Sequence, residues 1–528
     1  MVSEKIENLI ERVLKKTFPK LRVFQYSLFP SKEEQFGDWS TNLAILLAKR
    51  LKQKPQEIAK KFIENLLSEK ESQIFFEKIE FKEPGFINFF LSGPFLREQI
   101  LEILKKKERF GSLKPKKKKV QVEFISANPT GPLTVGNSRG GPFGETLSRV
   151  LERAGFKVKR AYYINDYGMQ ILALGHSVLN TDKAQYKGRH IEELRKRIKE
   201  KDPYKAGEKA AKIILKEMIK STVKKLGIKF DEWVSESELH KKNYVEKVLK
   251  ILKKKNLLYE KEGAIWFKSK QLGDNRDRVL VKKNGWKTYL AGDLALHYFK
   301  FKKKKYDRVI DIFGADHAGD VPALKAGVAA LGFPGKLEVI LLQFVTLFEK
   351  KERLKMSKRL GFFVTMDELL KKIPPDVVKF FFLEKSAQTH LNFDLDLARE
   401  RSEKNPVYYV QYAHARICSI LRKARLKNLK IKDKEILNLL SHPSELRLIK
   451  QLIKFPEMIK EISMNYQVQR VTRYAIELAS LFHQFYQNCQ VLSEDKDLRR
   501  ARLALILATK EVIKNTLDLM GISAPTKM

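Results

Sequence analysis

Cysteine is almost missing from this chain, which has only Cys418 and Cys489 among its 528 residues. Two cysteines are too few for a disulfide framework or a cysteine zinc site. Long apolar runs are missing as well, since the longest nearly apolar stretch, 339–348, is interrupted by Gln343 and Thr346 and is far shorter than a membrane span. The N-terminus carries a charged, amphipathic pattern in place of an apolar signal core. We therefore expect a cytoplasmic protein in a reducing environment, without membrane contact.

Acidic residues are also scarce relative to basic ones. Asp and Glu number 63 against 105 Lys and Arg, which gives a formal net charge of +42. This excess is larger than solubility requires and favours a polyanionic partner, above all a nucleic acid. A lysine-rich proteome with solvated protein faces is the alternative explanation.

The apolar periodicity divides the chain into three parts, consistent with the roughly three or four domains expected at this length. Residues 1–113 mix helical patterns with the strand 86–91 and predict a small α+β domain. A lysine-rich linker follows, and residues 114–395 predict a doubly wound parallel sheet with helices between its strands. From residue 396 only helical spacing remains, which predicts an all-α bundle through residue 528.

The sheet pattern of the middle part is interrupted. We expect its strands at 120–126, 157–164, 308–313 and 337–342. Between about residues 181 and 280 the sequence is highly charged and mostly helical, which predicts an insertion between the two halves of the sheet. A strong turn signal, Asn284-Gly285, predicts a hairpin between strands 279–282 and 286–290.

The stretch from Val120 to Arg139 has the pattern of a strand, a tight turn and a helix. The turn contains Pro129, Gly131 and Pro132, and the helix is predicted to begin near Gly136. Free N–H groups and the helix dipole favour a phosphate at such a place. An ordinary βα connection would have the same pattern, so this stretch alone leaves both interpretations open.

A second stretch, Leu354 to Gly361, reads Leu-Lys-Met-Ser-Lys-Arg-Leu-Gly and follows a predicted strand closely. Its two lysines and one arginine are suited to surround a developing pyrophosphate.

With both stretches in hand, the chain resembles class I aminoacyl-tRNA synthetases, and among them the arginyl-tRNA synthetases. Lys355–Arg359 matches the Lys-Met-Ser-Lys motif of the class, and Ser126–Arg139 resembles the arginyl form of its other motif. Further family-like strings run almost the length of the chain: Tyr162–Asp166, Thr288–Asp293, Gly314–His317, Asn405–Arg416 and Met520–Pro525. The resemblance implies a Rossmann-like catalytic domain, a tRNA-contacting N-terminal domain and a helical anticodon-binding domain.

One departure from the family is sharp. The family turn normally reads His-Val-Gly-His, whereas this chain has Thr134-Val135-Gly136-Asn137. A hydroxyl and an amide still donate hydrogen bonds, but neither carries a positive charge. Tryptophanyl members of the class have a similar Thr-Ile-Gly-Asn, so we expect an altered rate and retained activity.

The resemblance implies that ATP and L-arginine react at this site and that tRNA(Arg) accepts the arginyl group. Mg²⁺ would share the phosphate charge, and we predict no metal ligands from the protein. We also expect a monomer. The residues expected to act in catalysis are Thr134, Asn137, Lys355 and Lys358. Those expected to bind ATP are Pro132, Gly136, Asn137, Met356, Ser357 and Lys358.

The arginine pocket is expected to offer carboxylates, because a guanidinium forms forked hydrogen bonds with them and lysine does not. The resemblance implies that the arginine-binding residues are Glu123, Ser126, Asn128, Tyr289, Asp293 and His317. Two alternatives stay open: a salt bridge from Glu123 to a neighbouring lysine, and a helix N-cap role for Asp293.

The residues expected to contact tRNA are Phe36, Asp38 and Asn42 in the N-terminal domain and Tyr409, Tyr412 and Arg416 in the bundle. Aromatic side chains beside a cation are suited to stacking unpaired bases. Because both turn histidines are lost, a catalytically silent RNA-binding paralogue is the competing hypothesis. A synthetase for another amino acid is a third possibility, which the acidic pocket argues against.

Overall fold

The computed structural model describes residues 1–19, 21, 25–31, 33–354, 364–424 and 434–528. The N-terminal part packs helices on a four-stranded antiparallel sheet of order β1-β2-β4-β3. Its helices are α1 (Val2–Thr17), α2 (Leu43–Leu51), α3 (Pro55–Leu67), α4 (Lys70–Phe75) and α5 (Gly93–Lys106), and its strands are β1 (Leu28–Pro30), β2 (Trp39–Thr41), β3 (Phe76–Lys82) and β4 (Phe86–Leu91).

The middle part is built on a five-stranded parallel sheet of order β12-β11-β5-β6-β7. The strands of this part are β5 (Lys119–Glu123), β6 (Lys157–Ile164), β7 (Glu232–Ser235), β8 (Leu258–Lys261), β9 (Ala264–Phe267), β10 (Arg278–Val281), β11 (Arg308–Gly314) and β12 (Leu337–Leu342). The parallel doubly wound sheet predicted from the sequence is confirmed, and each of its four predicted strands is present. Apolar residues on both faces of these strands explain why helices cover the sheet on both sides.

The helices of the middle part surround the sheet and fill the region between β6 and β11. They are α6 (Val135–Ser138), α7 (Gly140–Arg153), α8 (Met169–Leu179), α9 (Arg189–Arg197), α10 (Pro203–Ile213), α11 (Lys220–Lys225), α12 (Glu236–Lys241), α13 (Tyr244–Lys254), α14 (Tyr289–Tyr298) and α15 (Val321–Ala330), with π-helical turns at Ile214–Ile219 and Phe299–Lys303.

Two expectations for this region are wrong. Residues 181–280 are not wholly an insertion, because β7 lies at the edge of the central sheet beside β6. This strand has only four half-buried residues, so its sequence lacks the alternation that marks a longer strand. The expected strand 286–290 is also absent: Lys287 makes one bridge to Val281, and helix α14 begins at Tyr289.

The last part joins a small sheet of order β14-β13-β15 to a helical bundle. Its strands are β13 (Val345–Glu349), β14 (Glu352–Arg353) and β15 (Leu391–Asp394), and its helices are α16 (Met366–Lys372), α17 (Pro375–Leu383), α18 (Leu395–Arg399), α19 (Pro406–Lys423), α20 (Pro443–Ile453), α21 (Phe455–Asn465), α22 (Gln469–Asn488) and α23 (Lys496–Leu519). The all-α C-terminal bundle is as predicted. No helix in the described ranges has the length and apolarity to cross a bilayer.

Candidate active site

The carboxyl end of β5 is held in a strained turn. Ile125 and Ser126 have φ values of +68° and +38°, which side chains other than glycine adopt rarely. In this conformation the Ser126 hydroxyl donates to Glu123 Oε1 at 3.0 Å and accepts the Tyr163 N–H at 3.0 Å. Helix α7 packs so closely on β5 that a Cβ at Gly144 would lie 2.2 Å from the Phe124 ring. The Ser126 hydroxyl in this turn therefore fixes the orientation of the Glu123 carboxylate.

Glu123 belongs to a buried cluster of charges. Its Oε2 lies 2.7 Å from Lys300 Nζ, which also lies 3.0 Å from Asp311 Oδ1. His297 Nε2 lies 2.7 Å from Asp311 Oδ2. Exposure is 3% or less for all four residues. The salt bridge that was the alternative for Glu123 is therefore present, and its lysine comes from 177 positions further along the chain.

A second set of carboxyls, on Asp293 and Glu236, lies beside this cluster. Burial, together with the charges of Glu236 and Glu123, raises the pKa of the Asp293 carboxyl well above its usual range. Burial also raises the pKa of Glu236, although His240 opposes the shift. Two neighbouring acids that resist ionisation are prepared for a cation to enter between them.

Two unpaired polar atoms lie at or beside the Asp293 and Glu236 carboxyls. Glu236 Oε2 and the Tyr163 hydroxyl are buried and have no hydrogen-bond partner among the described residues. A Cβ built on Gly292 would lie 2.7 Å from Glu236 Oε1 and 3.6 Å from the Tyr163 hydroxyl oxygen. Any side chain at position 292 would close this space, so glycine keeps the carboxylate accessible to a ligand beside Asp293.

The other residues predicted for the arginine pocket differ in how exposed they are. Tyr289 lies on the first turn of α14, one turn before Asp293, and its side chain is 56% exposed. The N-cap of that helix is Thr288, so the alternative role of Asp293 as the cap is wrong. Asn128 lies half-buried on the loop after Ser126, while the His317 side chain is 58% exposed at the end of a 3₁₀ turn, Ala315–His317.

Thr134 and Asn137, which replace the two histidines of the family turn, are joined by two hydrogen bonds. Thr134 is the N-cap of α6: its hydroxyl oxygen accepts the Asn137 N–H at 3.2 Å, and its O–H donates to Asn137 Oδ1 at 2.5 Å. The amide oxygen is thus occupied, and the amide NH₂ of the exposed Asn137 is left to donate outward. Gly136 is also exposed, and Pro132 is half-buried on the preceding turn.

The turn 133–135 contacts the segment that follows Leu354–Gly361, which is called the lysine-rich stretch below. Thr134 forms an antiparallel bridge with Thr365. The Val135 N–H donates to Val364 O at 3.2 Å, and the Met366 N–H donates to Leu133 O at 2.8 Å. Four predicted ATP-site residues lie outside the described residues: Lys355, Met356, Ser357 and Lys358.

Arg139, which follows α6, contacts the backbone just before β13 and the loop just before β15. Its guanidinium is 1% exposed and donates to the backbone oxygens of Gln343, Ser386 and Thr389. Burial among these neutral carbonyls lowers the pKa of Arg139 to about 10, so the side chain keeps its charge at neutral pH. Gln343 precedes β13, and the β13–β14 hairpin leads directly to residue 355.

The residues predicted to contact RNA in the bundle lie together on α19. Tyr409 and Tyr412 pack near the His483 ring at 4.9 and 5.9 Å, and Tyr412 is 40% exposed. Arg416 stacks on the Tyr486 ring at 4.9 Å and donates to its hydroxyl at 3.0 Å.

In the N-terminal domain the corresponding residues make internal contacts. Asp38 accepts the Leu91 N–H at 2.8 Å and pairs with Lys450 of the bundle at 2.8 Å. Asn42 accepts the Ser27 N–H at 2.9 Å, and Phe36 is half-buried at the end of a 3₁₀ turn.

Sequence reasoning missed three residues of the site: Glu236, Lys300 and His297. Glu236 and Lys300 are part of charged stretches in which one acid or one lysine looks like another. Glu236 comes directly after β7, and ligands bind at the carboxyl ends of parallel strands, but that strand is too short to be predicted from the sequence. For His297 the sequence shows no partner pattern.

Three family models match the chain in its three parts. The model described as "Arginyl tRNA synthetase N terminal domain" matches residues 4–91. The model described as "tRNA synthetases class I (R), catalytic domain" matches residues 99–227 and 181–374. The model described as "DALR anticodon binding domain" matches residues 410–528.

Individual relatives agree with these matches. The chain is 38% identical to the arginine–tRNA ligase of Acetivibrio thermocellus, with 100% of this chain and 98% of the relative covered. It is 42% identical to that of Caldanaerobacter subterraneus subsp. tengcongensis, with 94% and 92% covered. The Thermus thermophilus arginyl-tRNA synthetase structure shares the fold with a TM-score of 0.79 over 100% of both chains, at 22% identity. The chain belongs to the arginyl-tRNA synthetase family, within class I of the aminoacyl-tRNA synthetases.

Proposed function

We propose that this arginine–tRNA ligase activates L-arginine with ATP in the space beside Asp293 and Glu236, and transfers the arginyl group to the 3′-terminal adenosine of tRNA(Arg). The observation that carries the proposal is the acidic pair itself. Two carboxyls of raised pKa and a buried carboxylate oxygen without a partner form a site that lacks one cation.

A guanidinium meets the requirements of this space. It presents five N–H donors in a planar fork and stays protonated in proteins. Glu236 and Asp293 would accept from the fork, and Tyr289 at the mouth would cover its plane. Glu123, Ser126 and Asn128 would hold the amino-acid end of the substrate. His317 is assigned to the edge of the pocket, where its exposure leaves it free to turn inward.

ATP is assigned to the turn that contains Thr134 and Asn137. The Asn137 NH₂ would donate to a phosphate oxygen, with Thr134 fixing the orientation of the amide. Pro132 and Gly136 would contact the nucleotide through the backbone. Lys355, Met356, Ser357 and Lys358 are assigned to the phosphates. In support of this assignment, Val364 and Met366, which follow them in the sequence, make backbone hydrogen bonds with the turn.

In the proposed reaction, an oxygen of the arginine carboxylate attacks the α-phosphorus of ATP in line with the leaving group. A C–O–P bond forms, the bond between the α-phosphorus and the bridging oxygen breaks, and pyrophosphate leaves. The 2′-hydroxyl of the terminal adenosine then attacks the arginyl carbonyl and AMP leaves. Positioning and electrostatic stabilisation account for the catalysis, because the transferring group carries its charge on oxygen atoms throughout.

Mg²⁺ enters this proposal only as the counter-ion of the ATP phosphates, whose charge it would share with the lysines. Within the described ranges of the chain, no group of three His, Cys, Asp or Glu side chains lies close enough to hold a metal ion.

The tRNA would lie along the bundle and the N-terminal domain. Tyr412 offers an exposed ring for stacking, with Tyr409 and Arg416 beside it. In the N-terminal domain Asp38 and Asn42 already serve contacts within the protein, so Phe36 carries that part of the proposal. We also propose a monomer.

The proposal is tested by ATP–pyrophosphate exchange with arginine, lysine or tryptophan, each with and without tRNA. We expect exchange with arginine and tRNA together, and none with the other two amino acids. Exchange supported by lysine would overturn the pocket assignment, and no exchange under any condition would favour the silent paralogue.

A further inference from the structure

Glu123 and Asp311 make a costly pair within the central sheet. They are direct partners in the parallel register of β5 and β11, on strands that lie about 4.8 Å apart in any sheet. Both are almost fully buried. Like charges directly opposite each other destabilise a sheet, and burial makes the repulsion stronger. Something must keep both carboxylates ionised if either is to bind a cationic substrate.

Lys300 lies between them. Its Nζ is 0% exposed and donates to Glu123 Oε2 at 2.7 Å and to Asp311 Oδ1 at 3.0 Å. It is part of the π-helical turn Phe299–Lys303, which directly continues the helix that carries Asp293. Such turns recur at functional sites, where they redirect side chains.

His297 contacts the other side of Asp311. Its Nδ1 lies 2.7 Å from the backbone oxygen of Asp293, and its Nε2 lies 2.7 Å from Asp311 Oδ2. The ring therefore lies between a backbone carbonyl and a carboxylate, and it fixes Asp311 to the backbone of helix α14.

We infer that Lys300 is a positioning residue for arginine binding: it keeps the Glu123 carboxylate ionised and aimed at the substrate, against the opposing charge of Asp311. Glu236, whose Oε1 lies 3.8 Å from His240 Nε2, and Asp293 then remain as the acids that select a cation. This inference rests on the proposed placement of Glu123 in the arginine pocket.

The electrostatics of the cluster agree with this role. Burial raises the pKa of Glu123 even though the charge of Lys300 opposes the shift. Burial also opposes ionisation of Asp311, yet Lys300 and His297 lower its pKa to about 2. Without the lysine, burial and the mutual repulsion of the two carboxyls would remain, so the pKa of Glu123 should rise further. The ionisable groups around Glu123 are Lys300, His297, Asp293, Asp311, Tyr162 and Tyr163.

The test measures the KM for arginine and the KM for ATP in aminoacylation by the full-length enzyme, at about pH 6.5 and about pH 8.5, with each value divided by the wild-type value at the same pH. For Lys300→Met we expect the arginine KM to rise about tenfold or more at the lower pH and to recover as Glu123 ionises at the higher pH. The ATP KM should stay within about twofold of wild type. Lys300→Arg keeps the charge and should restore the arginine KM, and Lys303→Met changes an exposed lysine of the same turn as a matched control.

If Lys300→Met does not fold, the double variant Lys300→Met/Asp311→Asn removes one charge of each sign and keeps Glu123 without its cation. The arginine KM should still rise at the lower pH, because burial opposes ionisation of Glu123, but by less than in Lys300→Met, since the charge of Asp311 is gone. A folded variant whose normalised arginine KM matches wild type at both pH values would overturn the inference. Glu123→Gln separates the two proposals: an unchanged arginine KM in that variant would refute the placement of Glu123, whereas a raised KM there with no effect at Lys300 would refute only the role of the lysine.

Discussion

Thr134 and Thr365 form an isolated antiparallel bridge, which joins the turn before α6 to the segment that follows Leu354–Gly361. The bridge places residue 364, the first described position after the lysine-rich stretch, beside the cap of helix α6. On the other side, Asp367 accepts hydrogen bonds from Thr222 and Lys225 of the charged helical region. Residues 364–366, which follow the lysine-rich stretch in the sequence, are therefore held against the turn 133–135.

A substitution at Met366 can remove one backbone hydrogen bond between this segment and the turn without disrupting helix α16. Its N–H donates to Leu133 O, and it is the first residue of α16, where proline is tolerated. Met366→Pro should lower the ATP–pyrophosphate exchange rate about fivefold relative to Met366→Ala, because one backbone hydrogen bond contributes about 1 kcal/mol.

The alanine variant is the matched control for that experiment, since both substitutions remove the buried methionine side chain and only proline removes the N–H. Thr365 already has the extended conformation that a following proline requires, with φ −74° and ψ 154°. Equal exchange rates in the two variants would mean that the bridge does not position the lysine-rich stretch.

Asn137→His tests the loss of the family imidazole. In the wild type the amide does not titrate, so the KM for ATP should show no step near the ordinary histidine pKa of about 6.5. In the variant the imidazolium that forms below that pH attracts phosphate, and the ATP KM should fall several-fold from about pH 8 to about pH 6. Identical pH profiles in wild type and variant would show that position 137 does not contact ATP, and Asn137→Ala provides the baseline without a donor.

The raised pKa values of Asp293 and Glu236 predict how arginine stabilises the protein. At low pH these carboxyls hold protons, and at higher pH they ionise at a cost that a bound guanidinium removes. Arginine should therefore raise the thermal unfolding midpoint more at about pH 8 than at about pH 6. Differential scanning fluorimetry at a fixed arginine concentration measures this, and a shift that shrinks with rising pH would contradict the pocket assignment.

The regular parts of the fold could be predicted from the sequence because their signals are local. The strands 157–164 and 337–342 have the bounds that the sequence predicts, since β-branched, aromatic or leucine residues recur in both and a glycine lies shortly before each. Strand β7 is not predicted, because its four half-buried residues show too little alternation. The sequence predicts Tyr289 on a strand because the turn signal at Asn284-Gly285 is stronger than the signal for a helix that begins after Thr288.

The site was predictable only in part for a different reason. Glu123 and Asp293 were found through motifs, but their partners come from distant positions in lysine- and glutamate-rich segments. Nothing local distinguishes Lys300 from Lys302, or Glu236 from Glu238. Only the packing of β5 against β11, and of α12 against α14, selects one residue of each pair.

We propose that Asp293 and Glu236 select the substrate by its positive charge. The most direct test compares kcat/KM for arginine with kcat/KM for citrulline, its neutral isostere, in wild type, Glu236→Gln and Glu238→Gln. The wild type and the Glu238→Gln control, which changes an exposed carboxylate of the same helix, should prefer arginine strongly. Glu236→Gln should lose about 100-fold or more of that preference, since it replaces a buried charge-assisted contact. An unchanged preference in Glu236→Gln would contradict the account.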